Sequence, residues 1–270
     1  PESQPPSARD DAAMHDRRSE SSPGGLVGSE GADDAPAIAA AAAGTASTGL
    51  PRGGTAGCVD RVQALLEAEG YEIILFHASG IGGRTLERLA REGELAGVLD
   101  ITTHELADFV VGGVYDAGGE RLTGAGAMGL PQLIVPGAID HSNFWTGQVP
   151  ERYLDREFFQ YNAQNLLMRT DATEMEKLGR AFAERINAAT GPVRVLIPVK
   201  GFSEHTKRQT HDLSGQEVGH WAQRETDAAF SKSLAAGLTA VAVEELPLHI
   251  NEAAFADACV AAFLEIIRPA

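Results

Sequence analysis

Apolar and polar residues follow one another along the chain in blocks that predict strands and helices in turn. Continuously apolar stretches predict strands at 71–78, 97–102, 131–138, 193–201 and 238–246, and a small-residue stretch predicts another at 36–45. Amphipathic stretches predict helices at 57–69, 82–93, 104–113, 120–129, 170–191, 225–237 and 251–267. Apolar strands that alternate with helices are typical of a parallel sheet covered on both faces. The sequence therefore predicts an α/β fold, a doubly wound, Rossmann-like and mainly parallel sheet of about six strands.

Three segments lie outside this alternation. Residues 1–36 are rich in acids and have almost no large aliphatic side chains, so we expect a disordered low-complexity tail before a Rossmann-like domain at 37–270. The segment after the 131–138 strand predicts a long loop, and residues 202–224 predict a lid or a disordered stretch. The histidines of this last segment, His205, His211 and His220, are expected to be exposed to solvent.

Composition narrows the classes of function. The formal net charge of −16 argues against a nucleic-acid binder that works by neutralising phosphates. No apolar run approaches the roughly 20 residues that span a bilayer, so we expect no membrane span. The two cysteines form neither a zinc spacing nor a disulfide framework, and no signal or transit pattern is present. We therefore expect a cytoplasmic protein, a homo-oligomer, with a small-molecule ligand.

Polar residues follow five of the six predicted strands, and in a parallel sheet these junctions share one edge, where ligands bind. The junction residues are His77 and Ser79, then Thr102, Thr103 and Glu105, then Asp140, His141 and Asn143, then Lys200 and Ser203, and finally His249 and Asn251.

The most specific junction is the glycine turn, Ser79-Gly80-Ile81-Gly82-Gly83, which Arg84 follows. Glycines at the start of a helix let backbone amides approach a phosphate, and an arginine adds a charged contact. The alternative is a tight turn that needs glycine only for its dihedral angles. The next junction is similarly open, because Thr102-Thr103 followed by Glu105 suits either a helix cap or hydroxyl contacts to a ligand.

Metal binding receives less support than phosphate binding. The candidate oxygen and nitrogen ligands, among them Asp140 and His141, show no tight metal-ligand spacing, so we expect no dedicated metal site. Mg²⁺ that arrives with a nucleotide phosphate needs only one or two carboxylates and is the preferred alternative.

At these loops the sequence resembles a known family. The segments FHASGIGGRTLERL, GVLDITTHELADFVVGGV, PQLIVPGAIDHSNFW, NLLMRTDATE, PVKGFS and LPLHIN look like the tobamovirus-resistance-like (Tm-one-like) ATP-binding domain family. The resemblance runs from about Cys58 to Ile267 and covers the second of two Rossmann-like halves. It implies binding of ATP, with the matching loop residues Gly80, Gly82, Gly83, Thr102, Thr103, Glu105, Gly137, Asp140 and Asn143 at the site.

Three functional hypotheses follow. The first is a nucleotide-binding module, for ATP with Mg²⁺, whose site comprises Ser79, Gly80, Gly82, Gly83, Arg84, Thr102, Thr103, Glu105, Gly137, Asp140, Asn143 and Ser203. The second is a metabolic enzyme, a hydrolase or group-transfer enzyme for a small phosphorylated or carboxylated metabolite. Asp140, His141 or His77 would then be its acid or base. The third is a half-module with a structural or dimerisation role.

Overall fold

The structure is a computed structural model that describes residues 37–42 and 53–268, so the predicted tail at 1–36 lies outside the described residues. Its strands are β1 (Ala37–Ala42), β2 (Glu72–His77), β3 (Gly97–Thr102), β4 (Gln132–Gly137), β5 (His141–Trp145), β6 (Phe158–Gln160), β7 (Asn165–Arg169), β8 (Val193–Pro198), β9 (Gln209–His211), β10 (Glu217–His220) and β11 (Val243–Leu246). Its α-helices are α1 (Ala56–Ala68), α2 (Ile81–Glu92), α3 (His104–Val111), α4 (Gly124–Ala127), α5 (Ala172–Asn187), α6 (Arg224–Gly237) and α7 (Ala253–Ile267). None of the helices in the described ranges has the length and apolar character needed to cross a membrane.

The main sheet has six strands in the order β11-β8-β4-β3-β1-β2, and every neighbouring pair is parallel. This confirms the predicted fold class, and the weakly patterned alanine-rich stretch is β1. From β1 the chain goes to one side for β2 and then crosses to the other side for β3. The order therefore reverses between β1 and β3, the position at which doubly wound sheets bind ligands.

Alternate residues of the main sheet serve opposite faces. In β3, Leu99 and Ile101 pack with α1 and α7, whereas Val98 packs on the other face with α2. Further along that second face, Ile134 and Val195 pack with α3, α5 and α6. Both faces are buried, which explains why these strands are continuously apolar in the sequence.

A second sheet is the main departure from the predicted fold. It is antiparallel, with the order β10-β9-β6-β7-β5, and it is built from the two segments predicted as a long loop and as a lid or disorder. The predictions of a long loop and of a disordered stretch were wrong, whereas the lid stays a prediction. Its strands have only three to five residues, too few to show a hydrophobic period. Two of its pairings, β5 with β7 and β6 with β9, join strands that are not neighbours along the chain.

Smaller differences concern element ends. The predicted helix at 120–129 is reduced to α4, and the predicted strand at 238–246 to β11. Helix α5 begins with a capping box, because the Asp171 side chain accepts from the Glu174 amide and the Glu174 side chain accepts from the Asp171 amide. Such a cap depends only on residues three apart, so the sequence reveals it directly.

Candidate functional site

The predicted junctions lie along one edge of the main sheet, because all six strands are parallel. Contacts join several of them directly. The Ser203 hydroxyl donates to Asp140 Oδ2 at 2.7 Å, and His249 Nε2 lies 3.0 Å from the Ser203 carbonyl oxygen. The hydroxyls of Thr55 and Thr102 are 2.7 Å apart. The edge divides into two buried polar groups, one on each side of the start of α3.

The glycine turn already holds an anion, and that anion belongs to the chain. The backbone amides of Gly80 and Gly83 donate to Glu105 Oε1 at 2.6 and 3.1 Å. Glu105 is fully buried and comes from the first turn of α3. Its carboxylate therefore occupies the position at the start of α2 where the sequence predicted a phosphate.

Packing also requires these glycines. A Cβ on Gly82 would overlap the His77 carbonyl oxygen, and one on Gly83 would overlap the Glu105 carboxylate. The neighbouring Arg84 side chain is directed elsewhere, since its Nη1 donates to the Asp116 carbonyl at 2.9 Å. The glycines therefore do not distinguish a phosphate site from a tight turn, because the close backbone approach needs glycine with or without a ligand.

Glu105 also belongs to an ion cluster, formed by Arg121 with the carboxylates of Glu87, Asp100 and Glu105. Arg121 is fully buried; its Nε donates to Glu105 at 2.7 Å and its Nη2 to Asp100 at 2.6 Å. Its Nη1 donates to Asp100 and, at 3.4 Å, to Glu87. Burial raises the pKa of Glu87, an effect that Arg121 partly offsets. The guanidinium holds three elements, α2, β3 and α3, around one charge.

Three further predicted residues have internal roles. The Thr103 hydroxyl donates to the Val135 carbonyl at 3.1 Å, and its amide donates to the Gly137 carbonyl at 3.0 Å. A Cβ at Gly137 would overlap the Ile101 carbonyl oxygen. Thr103 and Gly137 therefore join the ends of β3 and β4. Thr103 stands at the N-cap position of α3, but its side chain makes no capping hydrogen bond, so the helix-cap alternative was wrong for this residue. Thr102, like its neighbour, is fully buried.

The second group is a histidine cluster, defined here as His104, His141 and His205 with Asp140. The rings of His104 and His141 are stacked with centroids 5.5 Å apart, and the His205 ring meets His141 edge-on, also at 5.5 Å. All four side chains are buried. They come from the start of α3, the β4–β5 turn, β5, and the 3₁₀ turn at 204–207. The second sheet thus closes over the edge of the main sheet here.

Asp140 orients the centre of this cluster. Its Oδ1 lies 3.1 Å from His141 Nδ1, while its Oδ2 accepts from the Ser203 hydroxyl and, at 2.9 Å, from Trp221 Nε1. Burial alone would raise the pKa of Asp140, but the His141 hydrogen bond and the nearby charge of Arg169 lower it below its usual value. Asp140 is therefore ionised, and a carboxylate accepts the Nδ1 proton of His141.

The Asp140 turn is strained. Ala138 has a φ of +61°, a left-handed conformation that costs a non-glycine residue about 1 kcal/mol. The Ala138 amide donates to the Phe202 carbonyl at 2.8 Å, which holds the turn against the segment that carries Ser203. The backbone thus directs Asp140 inward, towards residues of the second sheet.

His104 is held from its other side by an amide and a carboxylate. Asn143 Nδ2 lies 3.2 Å from His104 Nδ1 and 3.2 Å from Asp108 Oδ2, and Asn165 donates to Asn143 Oδ1. Burial lowers the pKa of His104 well below its usual value, and the neighbouring His141 lowers it further. Burial also raises the pKa of Asp108 to about 7, although it accepts hydrogen bonds from Asn143 and Tyr115.

His205 contradicts the expectation that all three histidines of its segment are exposed. Its side chain is buried and its Nδ1 has no hydrogen-bond partner, whereas His220 is exposed and His211 half-exposed. Burial lowers the pKa of His205 to about 3, with a further contribution from His141. A buried nitrogen without a partner is costly, so such atoms call for an explanation.

Metal coordination gains no support in the described part of the chain. No group of three or more histidine, cysteine or acidic side chains has an arrangement there that holds a metal ion. The two cysteines, Cys58 of α1 and Cys259 of α7, are buried in the core between these helices and the sheet.

The structure joins the predicted site residues into two sets. Ser79, Gly80, Gly82, Gly83, Arg84 and Glu105 belong to the glycine turn and ion cluster, whereas Asp140, Asn143 and Ser203 belong to or support the histidine cluster.

Sequence reasoning missed His104 and His205, and it also missed Arg169 and Trp221, whose groups surround Asp140. His104 stands directly between Thr103 and Glu105, so its position in a strand-end junction was an available signal. Arg169 lies in the segment NLLMRTDATE, which carries the family resemblance and was therefore a signal. No sequence signal marked a site role for His205 or Trp221, because their segment shows no periodicity.

Comparison with known proteins reveals clear relatives. Residues 51–267 match the C-terminal domain of an uncharacterised protein family, UPF0261. The chain is 41% identical over 230 residues to a UPF0261 protein of Mesorhizobium japonicum, an alignment that covers 83% of this chain and 55% of that protein. It is 38% identical over 215 residues to the ToMV resistance protein Tm-1 of Solanum lycopersicum, covering 79% of this chain and 28% of that protein. The chain spans about half the length of its rhizobial relative.

Proposed function

The chain belongs to the UPF0261 family, and we propose that its domain is the acid–base part of an enzyme that acts on a small carboxylated or phosphorylated metabolite. The observation that supports this is the buried pair of Asp140 and His141 at the ligand-binding edge of the sheet. Asp140 accepts the Nδ1 proton, so in neutral His141 the other nitrogen, Nε2, is free of its proton and able to take one.

The surroundings suit proton transfer. Asp140 stays ionised and stabilises the imidazolium that forms when His141 accepts a proton. Trp221 and Ser203 occupy the remaining carboxylate oxygen, which prevents the carboxylate from turning away from His141. The Ser203 hydroxyl donates to Asp140, so it is a support for the carboxylate and not an activated nucleophile.

A metabolite screen in ²H₂O tests this proposal. The full chain is incubated with mixtures of small carboxylated and phosphorylated compounds, and NMR follows loss of a compound or uptake of deuterium. We expect at least one compound to change with wild type and not with His141→Gln. The control His211→Ala removes a half-exposed histidine outside the cluster and should match wild type. If no compound changes, or if changes persist in His141→Gln, the proposal fails.

Binding of ATP with Mg²⁺ is the second candidate. Beyond the family resemblance, the strand order favours it, because the reversal between β1 and β3 is where doubly wound sheets bind nucleotides. A phosphate fits the glycine turn only if the Glu105 carboxylate leaves it, since both bind the same amides.

Calorimetric titration of ATP with Mg²⁺ tests the nucleotide candidate. If the phosphates bind at the start of α2, Arg84→Ala should weaken binding about tenfold or more, the effect of one charged hydrogen bond. The matched control, Arg88→Ala, removes another exposed arginine of the same helix. Wild type that binds no ATP excludes this candidate, and sedimentation of the same samples checks the predicted homo-oligomer.

A further inference from the structure

His104 and His141 have opposite hydrogen-bonding character at corresponding ring atoms. In His141, Asp140 binds the proton on Nδ1, which leaves Nε2 as an acceptor. In His104 the partner of Nδ1 is a donor, the Asn143 amide nitrogen, so Nδ1 is the acceptor and the ring proton lies on Nε2. The two stacked rings therefore combine one proton acceptor with one proton donor.

The orientation of the Asn143 side-chain amide, on which this depends, is determined at Asp108. The Asp108 carboxylate accepts from the backbone amides of Asn143 and Tyr115 and faces Asn143 Nδ2. Turning the side-chain amide over would place two acceptors together at Asp108. Asn143 Oδ1 accepts from Asn165 Nδ2, but Asn165 Oδ1 has no partner, so this second contact does not determine the orientation. Asn143 Nδ2 therefore donates to both Asp108 and His104, and Asp108 determines the His104 tautomer through Asn143.

His104 also stays neutral. It is buried at the start of α3, and burial lowers its pKa well below the usual value. A neutral imidazole with its proton on Nε2 donates a hydrogen bond without supplying a positive charge. Such a donor suits an oxygen that gains negative charge during a reaction, because it strengthens as the charge develops.

The nearby cations do not suit a phosphate as the reacting group. Arg121 is directed at the carboxylates of the ion cluster, and Arg169 at Asp227 and at the carbonyl oxygens of Asp140, Thr170 and Trp221. Arg208, whose charge lowers the pKa of His205 further, has its guanidinium over the Phe159 ring. The side chains that form the histidine cluster are thus imidazoles and one carboxylate, and none of them is a permanent cation. His205 adds an unpartnered buried Nδ1, which a polar ligand atom would satisfy.

From this arrangement we infer that the substrate is a small carbonyl compound with a proton on the carbon next to the carbonyl, and that His104 is a second catalytic residue. This inference rests on the proposed function of His141. His141 Nε2 takes the proton, the C–H electron pair forms a C=C bond, and the carbonyl π pair moves onto oxygen. His104 Nε2–H donates to that oxygen, and the products are an enolate and the His141 imidazolium beside Asp140. Return of the proton to carbon restores both.

The tautomer of His104 gives a test that needs no substrate. Long-range ¹H–¹⁵N NMR of the full chain, labelled with ¹⁵N, reports which ring nitrogen of each histidine is protonated, and His104→Phe assigns the signals. We expect His104 to carry its proton on Nε2 only, without titrating between about pH 5.5 and pH 8. A proton on Nδ1, or on both nitrogens at pH 7, overturns the inference and leaves the role of His141 untouched.

Deuterium exchange tests the substrate class. Pyruvate, 2-oxobutyrate and dihydroxyacetone are the probes, and NMR measures exchange of the proton next to the carbonyl in ²H₂O. We expect His104→Phe, which keeps a ring without a donor, to slow exchange about 100-fold or more, as removal of an oxyanion donor does. His104→Gln keeps an N–H donor and should retain most of the rate, while His211→Ala should match wild type.

The outcomes separate the two proposals. Exchange that needs His141 but proceeds equally in His104→Phe overturns the role of His104 and supports the proposed function. If the only compounds that react in the metabolite screen lack a ketone or aldehyde carbonyl, the substrate class is overturned and the proposed role of His141 stands. Absence of exchange from all three probes overturns the carbonyl assignment, whereas absence of any reaction in the screen overturns the proposed function itself.

Discussion

The ion cluster and the histidine cluster lie at the same edge of the sheet and are equally buried, but they differ in completeness. In the ion cluster, Arg121 directs all three of its guanidinium nitrogens at carboxylates, and Glu105 also accepts two backbone amides. In the histidine cluster, the buried Nδ1 of His205 has no partner. A closed network has nothing left to offer a ligand, whereas an open one is stable only because the fold compensates its cost.

This comparison distinguishes buried charges that stabilise the fold from buried polar groups that are able to bind a ligand. The strongest motif of the sequence, the glycine turn, belongs to the closed network, and its anion is Glu105. The open network was only partly visible in the sequence, which marked Asp140 and His141 but not His104 or His205 as site residues. Burial and charge alone do not distinguish the two networks. They differ in whether each buried polar atom has a hydrogen-bond partner.

The largest expected effect is that of Arg121→Met. Removal of the guanidinium leaves Glu87, Asp100 and Glu105 buried without a cation, so the free energy of unfolding should fall by about 3–5 kcal/mol. Urea unfolding measures it. Arg88→Met, which breaks an exposed pair with Glu92, should change stability by about 0.5 kcal/mol or less. Equal effects of the two variants would refute the structural role of the ion cluster.

Glu105→Gln should have a smaller but clear effect. The Gln oxygen still accepts from the amides of Gly80 and Gly83, but its NH₂ group then faces the donating Nε of Arg121. We expect the free energy of unfolding to fall by about 2–3 kcal/mol, as for hydrogen bonds to charged groups. Glu92→Gln on the exposed surface is the matched control. A loss no greater than in this control would mean that the glycine turn does not depend on its internal anion.

His205→Phe tests the open network through pH. The pKa of His205 is lowered from 6.5 to about 3 in the folded protein, so below about pH 6.5 only the unfolded chain binds the proton. Wild type should therefore lose stability relative to the variant as the pH falls from 6.5 towards 3, by about 1 kcal/mol per pH unit. Urea unfolding of both proteins at several pH values measures the difference.

The comparison of wild type with the variant is needed because the protonation of Asp108 changes stability with pH in the direction opposite to that of His205. Its pKa is raised to about 7, so it contributes a gain in stability as the pH falls from 7 towards 4. This contribution is common to wild type and His205→Phe and cancels in the difference. His220→Phe, at an exposed position of β10, should run parallel to wild type. A constant difference between wild type and His205→Phe at all pH values would show that His205 is not buried in its neutral form.

The smallest expected effect concerns backbone strain. Ala138 has a left-handed backbone conformation beside the histidine cluster, and glycine adopts it without strain. This relief offsets the loss of a buried methyl group, so Ala138→Gly should change the free energy of unfolding by about 0.5 kcal/mol or less. Ala107→Gly, which removes an equally buried methyl group from the helical conformation of α3, should lose about 1 kcal/mol or more. The midpoint of thermal unfolding measures both. Equal losses in the two variants would show that the turn towards Asp140 is not strained.

The local sequence pattern was sufficient to predict the main sheet. Strands such as β3 and β4 are buried on both faces, so they must be continuously apolar whatever their neighbours are. The start of the helix between β7 and β8 is equally predictable from the sequence, because the Asp171–Glu174 cap involves only residues three apart. Since parallel strands end at one edge, the sequence also predicted where polar groups collect.

Which of these polar groups keep an atom without a partner depends on contacts that form in the folded chain. Strands of three to five residues have no measurable period, so the second sheet became visible only through pairing such as that of His141 with Arg169. The burial of His205 and the anion in the glycine turn depend on contacts between residues that are distant in sequence, as with Gly80 and Glu105. A local pattern records the residue types that a site needs, but the partner of each polar atom is chosen by the folded chain.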